Sequence, residues 1–387
     1  MEKIIQQSAV SRYPGRMGLA GRVRLYAAHA DDLDDGKGHA RMDLEVLRKK
    51  QPAGVELDQV SERIARSQKS DGEIPWHDGG KTDPWDHVES AMGLAIGGYP
   101  ERAKRAYQWL AARQLEDGSW YAAYQDGRPL DQTRDTNVTA YIAVGVYHYY
   151  LATGDEAFVA EMWEPVRRAM EFALSLQAPT GEIYWAMSPD LKVDPMALLT
   201  GSSSIYMSLK CAIAMGRLLG KGCSKWLSAA FRLKKAVQNG YHLFNIAKSH
   251  YSMDWFYPVL SGAVTGGAAR KRFDQYWKKF VVEDMGVLCV SNRPWVTVAE
   301  TCECVLALAA SGNERIAGII FNWMHERRFE DGSYWCGFTY PDMVIWPEEK
   351  ITWTNAVVLM AADALYHLTP ASCLFHHGFW EESGLFA

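Results

Sequence analysis

From about residue 56 onward the apolar positions recur at helical rather than strand spacing. The clearest case is a pair of segments. Asn137 to Ala152 (NVTAYIAVGVYHYYLA) predicts one helix, Thr153-Gly154-Asp155 a turn, and Glu156 to Gln177 a second helix. In the second, Trp163, Val166, Met170, Ala173, Leu174 and Leu176 fall on one apolar stripe. Asp155 has the short acceptor side chain of an N-cap, and Glu156 puts negative charge in the first turn. The pair therefore predicts a tightly connected helical hairpin.

The hairpin recurs. A helix ends in Gln or Arg, a turn containing Gly follows, then an aromatic residue: Gln68-KSDG-EIP-Trp76, Gln114-LEDG-S-Trp120, Gln177-APTG-EIY-Trp185 and Arg328-FEDG-SY-Trp335. Gly72 and Gly118 are 46 residues apart and Gly118 and Gly181 are 63 apart, about one hairpin with its loop. The glycine is expected to end the helix in a left-handed conformation, with the tryptophan folding back onto the helix ends. Repetition of one helical unit means a solenoid or a closed toroid. Long aromatic-rich loops always on the same side of the hairpins favour closure. The reading is an all-α chain: a single (α/α)6 barrel over residues 56–370, after an irregular segment 1–55 and before a C-terminal tail 371–387. Apolar runs such as Val287-Leu288-Cys289-Val290 are expected to be loop hairpins at most.

Composition narrows the function. The 387 residues carry a net charge of −5, and no run of Lys and Arg reaches four. That argues against nucleic-acid partners. No stretch of 18 apolar residues predicts a membrane span, and the Met1 end has no apolar core of a signal peptide. Seven cysteines at irregular spacing suit a reduced, cytoplasmic protein. Fifteen Trp and nineteen Tyr are more than a core needs and suit a pocket for sugar or an apolar ring system.

The segments expected to follow the inner helices share one chemistry. Carboxylates stand beside aromatics at Trp76, Asp83, Trp85, Asp86 and Glu89; at Trp120, Arg134 and Asp135; and at Glu182 and Trp185. The pattern continues at Tyr206, Asp254, Trp255, Arg293, Trp295, Glu300, Trp346, Glu348 and Glu349. Aromatic faces stack on sugar rings, and carboxylates and Arg bond sugar hydroxyls. Two carboxylates on opposite walls are what glycoside hydrolysis requires. Asp135 also reads as a cap for the helix beginning near Asn137. Glu89 and Glu300 lie on apolar helical segments, where an unpaired charge is costly. Tryptophans 109, 163, 226, 277 and 323 fall mid-helix and read as packing. His77, Asp78, Asp83 and His87 have no convincing metal spacing, and no metal or cofactor is implied.

The segment Arg134-Asp135-Thr136-Asn137, the hairpin after it, Thr297-Val-Ala-Glu300-Thr-Cys-Glu303 and Trp346-Pro347-Glu348-Glu349 together resemble the six-hairpin glycosidases, particularly the glucoamylase-like family. The resemblance implies a hydrolase acting on an oligosaccharide or glycoconjugate, with Glu348 as general base and Glu349 as fallback. The family's acid would follow Trp185, where this chain has Ala186, so Glu182 becomes the candidate acid, with Asp135 and Glu300 next. Carboxyls about 6.5–9.5 Å apart would mean inversion, the outcome expected here, and about 5–5.5 Å retention. Arg134 and Arg293 would orient hydroxyls or an anionic sugar.

A second resemblance competes. Gln114-x3-Gly118-x-Trp120 is similar to the repeat of squalene–hopene-like terpene cyclases, and Asp32-Leu33-Asp34-Asp35 matches their acid motif. An isoprenoid cyclase or prenyltransferase is the alternative, and a non-catalytic glycan-binding protein a third. The charge of the pooled segments favours sugar over hydrocarbon.

Overall fold

Helices buried on every side alternate along the chain with helices that keep a polar face. The computed structural model describes residues 56–386. The expected irregular segment 1–55, with Asp32-Leu33-Asp34-Asp35, lies outside the described residues. In chain order come α1 (Leu57–Ser67), α2 (Pro84–Ile96), α3 (Pro100–Ala111), α4 (Thr136–Ala140), α5 (Ile142–Thr153), α6 (Glu156–Ser175) and α7 (Leu199–Leu218). Then follow α8 (Ser224–Asn239), α9 (Ser252–Leu260), α10 (Gly266–Phe280), α11 (Val298–Ala310), α12 (Glu314–Asn322), α13 (Thr352–Tyr366) and α14 (His377–Glu382).

Helices α2, α5, α7, α9, α11 and α13 are buried almost throughout, whereas α1, α3, α6, α8, α10 and α12 bury one stripe each. An apolar stripe suits an outer layer, and an all-round apolar surface suits an inner one. Each inner helix packs on the next in the order α2–α5–α7–α9–α11–α13, and α13 packs back on α2 and α1. Thr352 at the start of α13 donates from N to the Trp76 carbonyl and from Oγ1 to the Pro75 carbonyl, each at 2.7 Å. The ring is closed: this is an (α/α)6 barrel, not an open solenoid.

The hairpin expected at residues 137–177 is there. The Asp155 carboxylate caps α6, accepting from Phe158 N at 2.9 Å, and Val166, Met170 and Ala173 are fully buried. Its first helix is broken at Tyr141 into α4 and α5.

The repeat has a different mechanical basis from the one its spacing suggests. Gly72, Gly118, Gly181 and Gly332 all have φ between +82° and +110°. However, α1, α3 and α6 end at Ser67, Ala111 and Ser175, so the glycine turns the following loop rather than ending the helix. A Cβ at Gly72, Gly118 or Gly181 would lie 2.5, 2.3 or 2.6 Å from the carbonyl oxygen of Arg105, Arg168 or Arg232 on the next outer helix. The preceding glutamine completes the joint. The Gln68 amide donates to Gly72 O and Arg102 O, that of Gln114 to Gly118 O and Pro165 O, and that of Gln177 to Gly181 O and Ala229 O. Each Gln-x3-Gly unit thus stitches its own turn to the neighbouring outer helix. Only Trp120 folds back as expected, donating to Leu110 O at 2.8 Å, whereas Trp76 reaches Asp83 instead.

The chain runs from each outer helix through a long segment into the N-terminus of an inner helix. The aromatic, acidic segments therefore follow the outer helices and precede the inner ones, the reverse of the expected order, and gather at the N-terminal mouth of the inner ring. Small antiparallel sheets order this mouth: β1 (Ala123–Gln125) with β2 (Arg128–Asp131); β3 (Arg134–Asp135), β4 (Tyr184–Met187) and β5 (Val193–Ala197); and β6 (Val281–Val282), β7 (Gly286–Leu288), β8 (Trp295–Thr297) and β9 (Gly337–Thr339). The run at Val287 is thus part of a four-stranded sheet, more ordered than expected.

The segment after α13 is no loose tail. Trp380 is buried and donates to Leu374 O, and His377 hydrogen-bonds Val259 O at the C-terminal end of α9. It therefore docks at the far end of the barrel from the mouth.

Candidate active site

The first two turns of α2 carry three carboxylates on one face, at positions 83, 86 and 89. Asp83 is the N-cap: Oδ1 accepts from Asp86 N at 2.9 Å and Oδ2 from Trp76 Nε1 at 2.5 Å. Asp86 is 8% exposed, and no described residue donates a hydrogen bond to its carboxylate. Glu89 is buried among the inner helices, where Oε1 accepts from Tyr141 Oη at 2.8 Å and Oε2 from Trp353 Nε1. Trp85 stacks on Tyr141 with ring centroids 3.7 Å apart.

The first turns of α11 bring two more. Glu300 Oε1 accepts from the Cys289 thiol at 3.0 Å. Glu303 Oε1 accepts from Tyr257 Oη, and its Oε2 is buried with no partner among the described residues. The two sets share one field. Burial holds Asp86 well above the usual carboxylate range, and the charges of Asp83, Glu89 and Glu303 push it the same way. Burial raises Glu89 to about 7. Glu303 is also held well up, by burial first and then by Glu89 and Glu300. Asp135 is raised to about 6 by desolvation, with the Asp83 charge adding.

Such groups bind protons more tightly folded than unfolded, so their contribution to stability is present in acid and lost as pH rises. For Glu89 the loss runs from about pH 4.5 to about 7. Glu89→Gln can keep both contacts, because its oxygen can accept from Trp353 while the Tyr141 hydroxyl turns to accept from the amide. The variant is expected to melt above the wild type at pH 8 and level with it near pH 4.5, measured by differential scanning calorimetry. A lower melting temperature at both pH values would show that the carboxylate is not strained at neutral pH.

Other predicted site residues fall into three groups. Some ring the mouth. Trp295 and Trp346 meet edge to face at 5.2 Å, Trp295 Nε1 donates to Trp346 O, and Trp346 is 59% exposed. Glu348 and Glu349 follow on the same exposed loop, and the Glu349 charge acts on Cys336 together with those of Glu300 and Asp86. Arg293 is exposed on the turn between β7 and β8. Trp185 is half-buried on β4, its indole N–H without a partner among the described residues. Asp135 on β3 caps α4, accepting from Val138 N, and faces the cluster through the Asp83 field.

A second group is structural. Trp120 is buried in its repeat. Tyr206 packs against Phe386 and the Lys210 ammonium. Trp255 stacks on Phe280 and donates to Arg272 O. Asp254 accepts from Thr200 N and Oγ1, joining α9 to α7, and Arg134 is ion-paired to Asp117 at 2.7 Å. These side chains direct their contacts to the scaffold, not to a ligand.

The third case is Glu182. It occupies the position after the repeat glycine, equivalent to Glu73, Ser119 and Ser333, all buried. Oε1 accepts from Thr180 within its own turn, and Oε2 is buried with no partner among the described residues.

Glu303, Tyr141, Tyr257 and Trp353 were not singled out as site residues from sequence. The signal for Glu303 was an acidic residue inside an apolar inner helix, and Tyr257 stands in the same aromatic, acidic segment as Asp254 and Trp255. His87 uses both ring nitrogens on backbone, Nδ1 with Ile74 N and Nε2 with Ala106 O. Among the described residues no group of three His, Cys, Asp or Glu side chains is placed to hold a metal ion. A polyprenyl chain has no donor or acceptor to offer the Asp86 carboxyl or the second oxygen of Glu300, which weighs against the isoprenoid alternative.

No family model matches the chain. Over 317 residues, 82% of this chain and 88% of the relative, it is 46% identical to the MMP endo-(1,4)-3-O-methyl-alpha-D-mannosidase of Mycolicibacterium hassiacum. The chain belongs to this family of glycoside hydrolases. Solved structures share its fold. A glycosidase bound to glucose superposes with a TM-score of 0.65 at 15% identity, over 84% of this chain and 99% of that one. A glycoside hydrolase family 63 mannosylglycerate hydrolase from Thermus thermophilus gives 0.60 at 11% identity, over 79% and 99%. A D-mannose isomerase gives 0.63 at 14%, over 86% and 100%. The fold thus hosts more than one sugar chemistry, so the hydrolase assignment rests on the mannosidase relative and not on the fold. No helix among the described residues is long and apolar enough to cross a membrane.

Proposed function

We propose that this hydrolase, a six-hairpin glycosidase by its barrel, cleaves (1,4) linkages within chains of 3-O-methyl-α-D-mannose, the substrate named for its relative. Asp86 is the general acid and Glu300 the general base. The observation that carries the assignment is the Asp86 carboxyl: it stands in the first turn of α2, no described residue donates to it, and burial with three neighbouring acids holds its proton affinity well above the usual carboxylate range. A leaving-group oxygen needs such a proton. Glu300 keeps one oxygen free of donors among the described residues and sits in the first turn of α11, where the helix N-terminus favours negative charge. It would take the proton of the attacking water.

The arrangement supports inversion. Helices α2 and α11 stand two places apart in the ring. With neighbours about 9 Å apart, their axes lie roughly 16 Å apart, and two inward side chains leave a gap wide enough for a water. Glu348 and Glu349, at the exposed rim, would hold hydroxyls of the bound chain, and Trp295 and Trp346 would stack on its rings. The barrel domain, residues 56–370, would carry the whole site.

Incubation with a 3-O-methylated α-(1,4)-mannan is expected to give internal fragments. Proton NMR during the first turnovers should show the β-anomer at the new reducing end. Release of single sugars from one end only, or no cleavage, would overturn the reading.

A further inference from the structure

Strand β7 is fastened to the first turns of α11 by two bonds. Val287 N donates to Thr301 Oγ1 at 2.9 Å, and just past the end of β7 the Cys289 thiol donates to Glu300 Oε1 at 3.0 Å. The backbone that carries this thiol is itself pinned. Cys289 N donates to Trp295 O in β8 at 3.1 Å. Its carbonyl accepts from Ser252 N at 3.0 Å and from Ser252 Oγ at 3.3 Å, at the start of α9. The sulfur is therefore presented to Glu300 from a point tied to β8, α9 and, through Val287, to α11. Of the seven cysteines five are buried, whereas Cys289, like Cys223, is only half-buried.

The identity of the donor has a chemical consequence. A group that takes a proton from water must be held in one orientation, and a glutamate free to turn about its side-chain bonds forfeits that advantage. It must also keep its affinity for the proton, and strong donors onto a carboxylate lower that affinity. Glu89 is held by Tyr141 and Trp353, and Glu303 by Tyr257. Glu300 instead receives a thiol, a weak donor, on Oε1, and nothing among the described residues donates to Oε2. We propose that Cys289 is a positioning residue for the hydrolysis: its thiol fixes the Glu300 carboxylate by Oε1 and leaves Oε2 to take the proton of the attacking water. This rests on the reading of Glu300 as the general base. A weak donor orients the carboxylate at the least cost to its basicity.

Cys289→Ala should lower kcat on the 3-O-methylated mannan about tenfold, the worth of one hydrogen bond to a charged group, with KM within about twofold. Cys289→Ser restores a donor and should return kcat to within about threefold of the wild type. A role in packing alone would reverse that order, since Ala keeps the surface apolar and Ser adds a hydroxyl. In a Glu300→Gln background, Cys289→Ala should cause no further loss, because both changes remove the same oriented carboxylate. An unchanged kcat in Cys289→Ala, a Ser variant as slow as the Ala variant, or losses that multiply in the double variant would overturn the proposal. Alkylation tests the contact apart from the reaction. Burial, and after it the Glu300 charge, holds the Cys289 thiol well above its ordinary value. With Cys223→Ser removing the other half-buried thiol, iodoacetamide should therefore label Cys289 about tenfold faster in Glu300→Gln than in its parent. If Glu300→Gln abolishes turnover without accelerating the labelling, the positioning role fails and the base stands. If labelling accelerates but Glu300→Gln keeps its turnover, the base reading has failed and the positioning role falls with it.

Discussion

Asp86→Asn is expected to lower kcat on the glycan by about 10³-fold, in the range that a positioned general acid supplies. The amide matches the carboxyl in shape and lacks the transferable proton. Because the native carboxyl accepts no bond from a described residue, the substitution should leave the barrel intact. The wild type should lose activity as pH rises through the raised pKa of Asp86, since the acid must be protonated to act. That limb should vanish in the variant. An aryl mannoside, whose leaving group departs without a proton, should be cleaved by the variant almost as fast as by the wild type. Glu300→Gln should lose activity to a similar extent on both substrates, because activation of water is then missing. If Asp86→Asn lost both substrates alike, Asp86 would not be the acid. If Glu348→Gln rather than Glu300→Gln abolished turnover, the base would be the rim carboxylate.

The second large effect concerns the fold. Gly118→Ala should cost about 3 kcal/mol or more, by strain in the left-handed region together with a collision. Its new Cβ would sit 2.3 Å from the Arg168 carbonyl oxygen at φ +91°, and Gln114 cannot move without releasing Pro165 O. The melting temperature should fall by about 5 °C or more. Gly154→Ala is the control. It too has a positive φ, +72°, but nothing lies within 4 Å of its Cβ, so only the smaller backbone cost applies. Equal losses at both sites would remove the outer-helix joint as the reason for the repeat.

The apolar periodicity, the Asp155 cap and the Gln-x3-Gly spacing were local signals, and they determined the helices, the repeat and the class of fold. The carbohydrate reading also came from sequence, because carboxylates beside aromatics recur in each mouth segment. Local signals could not say which of those carboxylates meet. Asp254 and Glu182 look like Asp86 in sequence, an acid beside an aromatic or a turn. Yet Asp254 is engaged by Thr200 across a helix joint, and Glu182 by its own turn. Glu303 gained its role only when ring closure set α11 two places from α2. A side chain bonds to whatever the closed ring puts within about 3 Å of it, and that is a property of long-range contacts. The sequence by itself therefore determined a helical toroid with a sugar-binding chemistry at one end. Only the tertiary structure decided that Asp86 accepts from no described residue and that Asp83, Glu89 and Glu303 together raise its proton affinity.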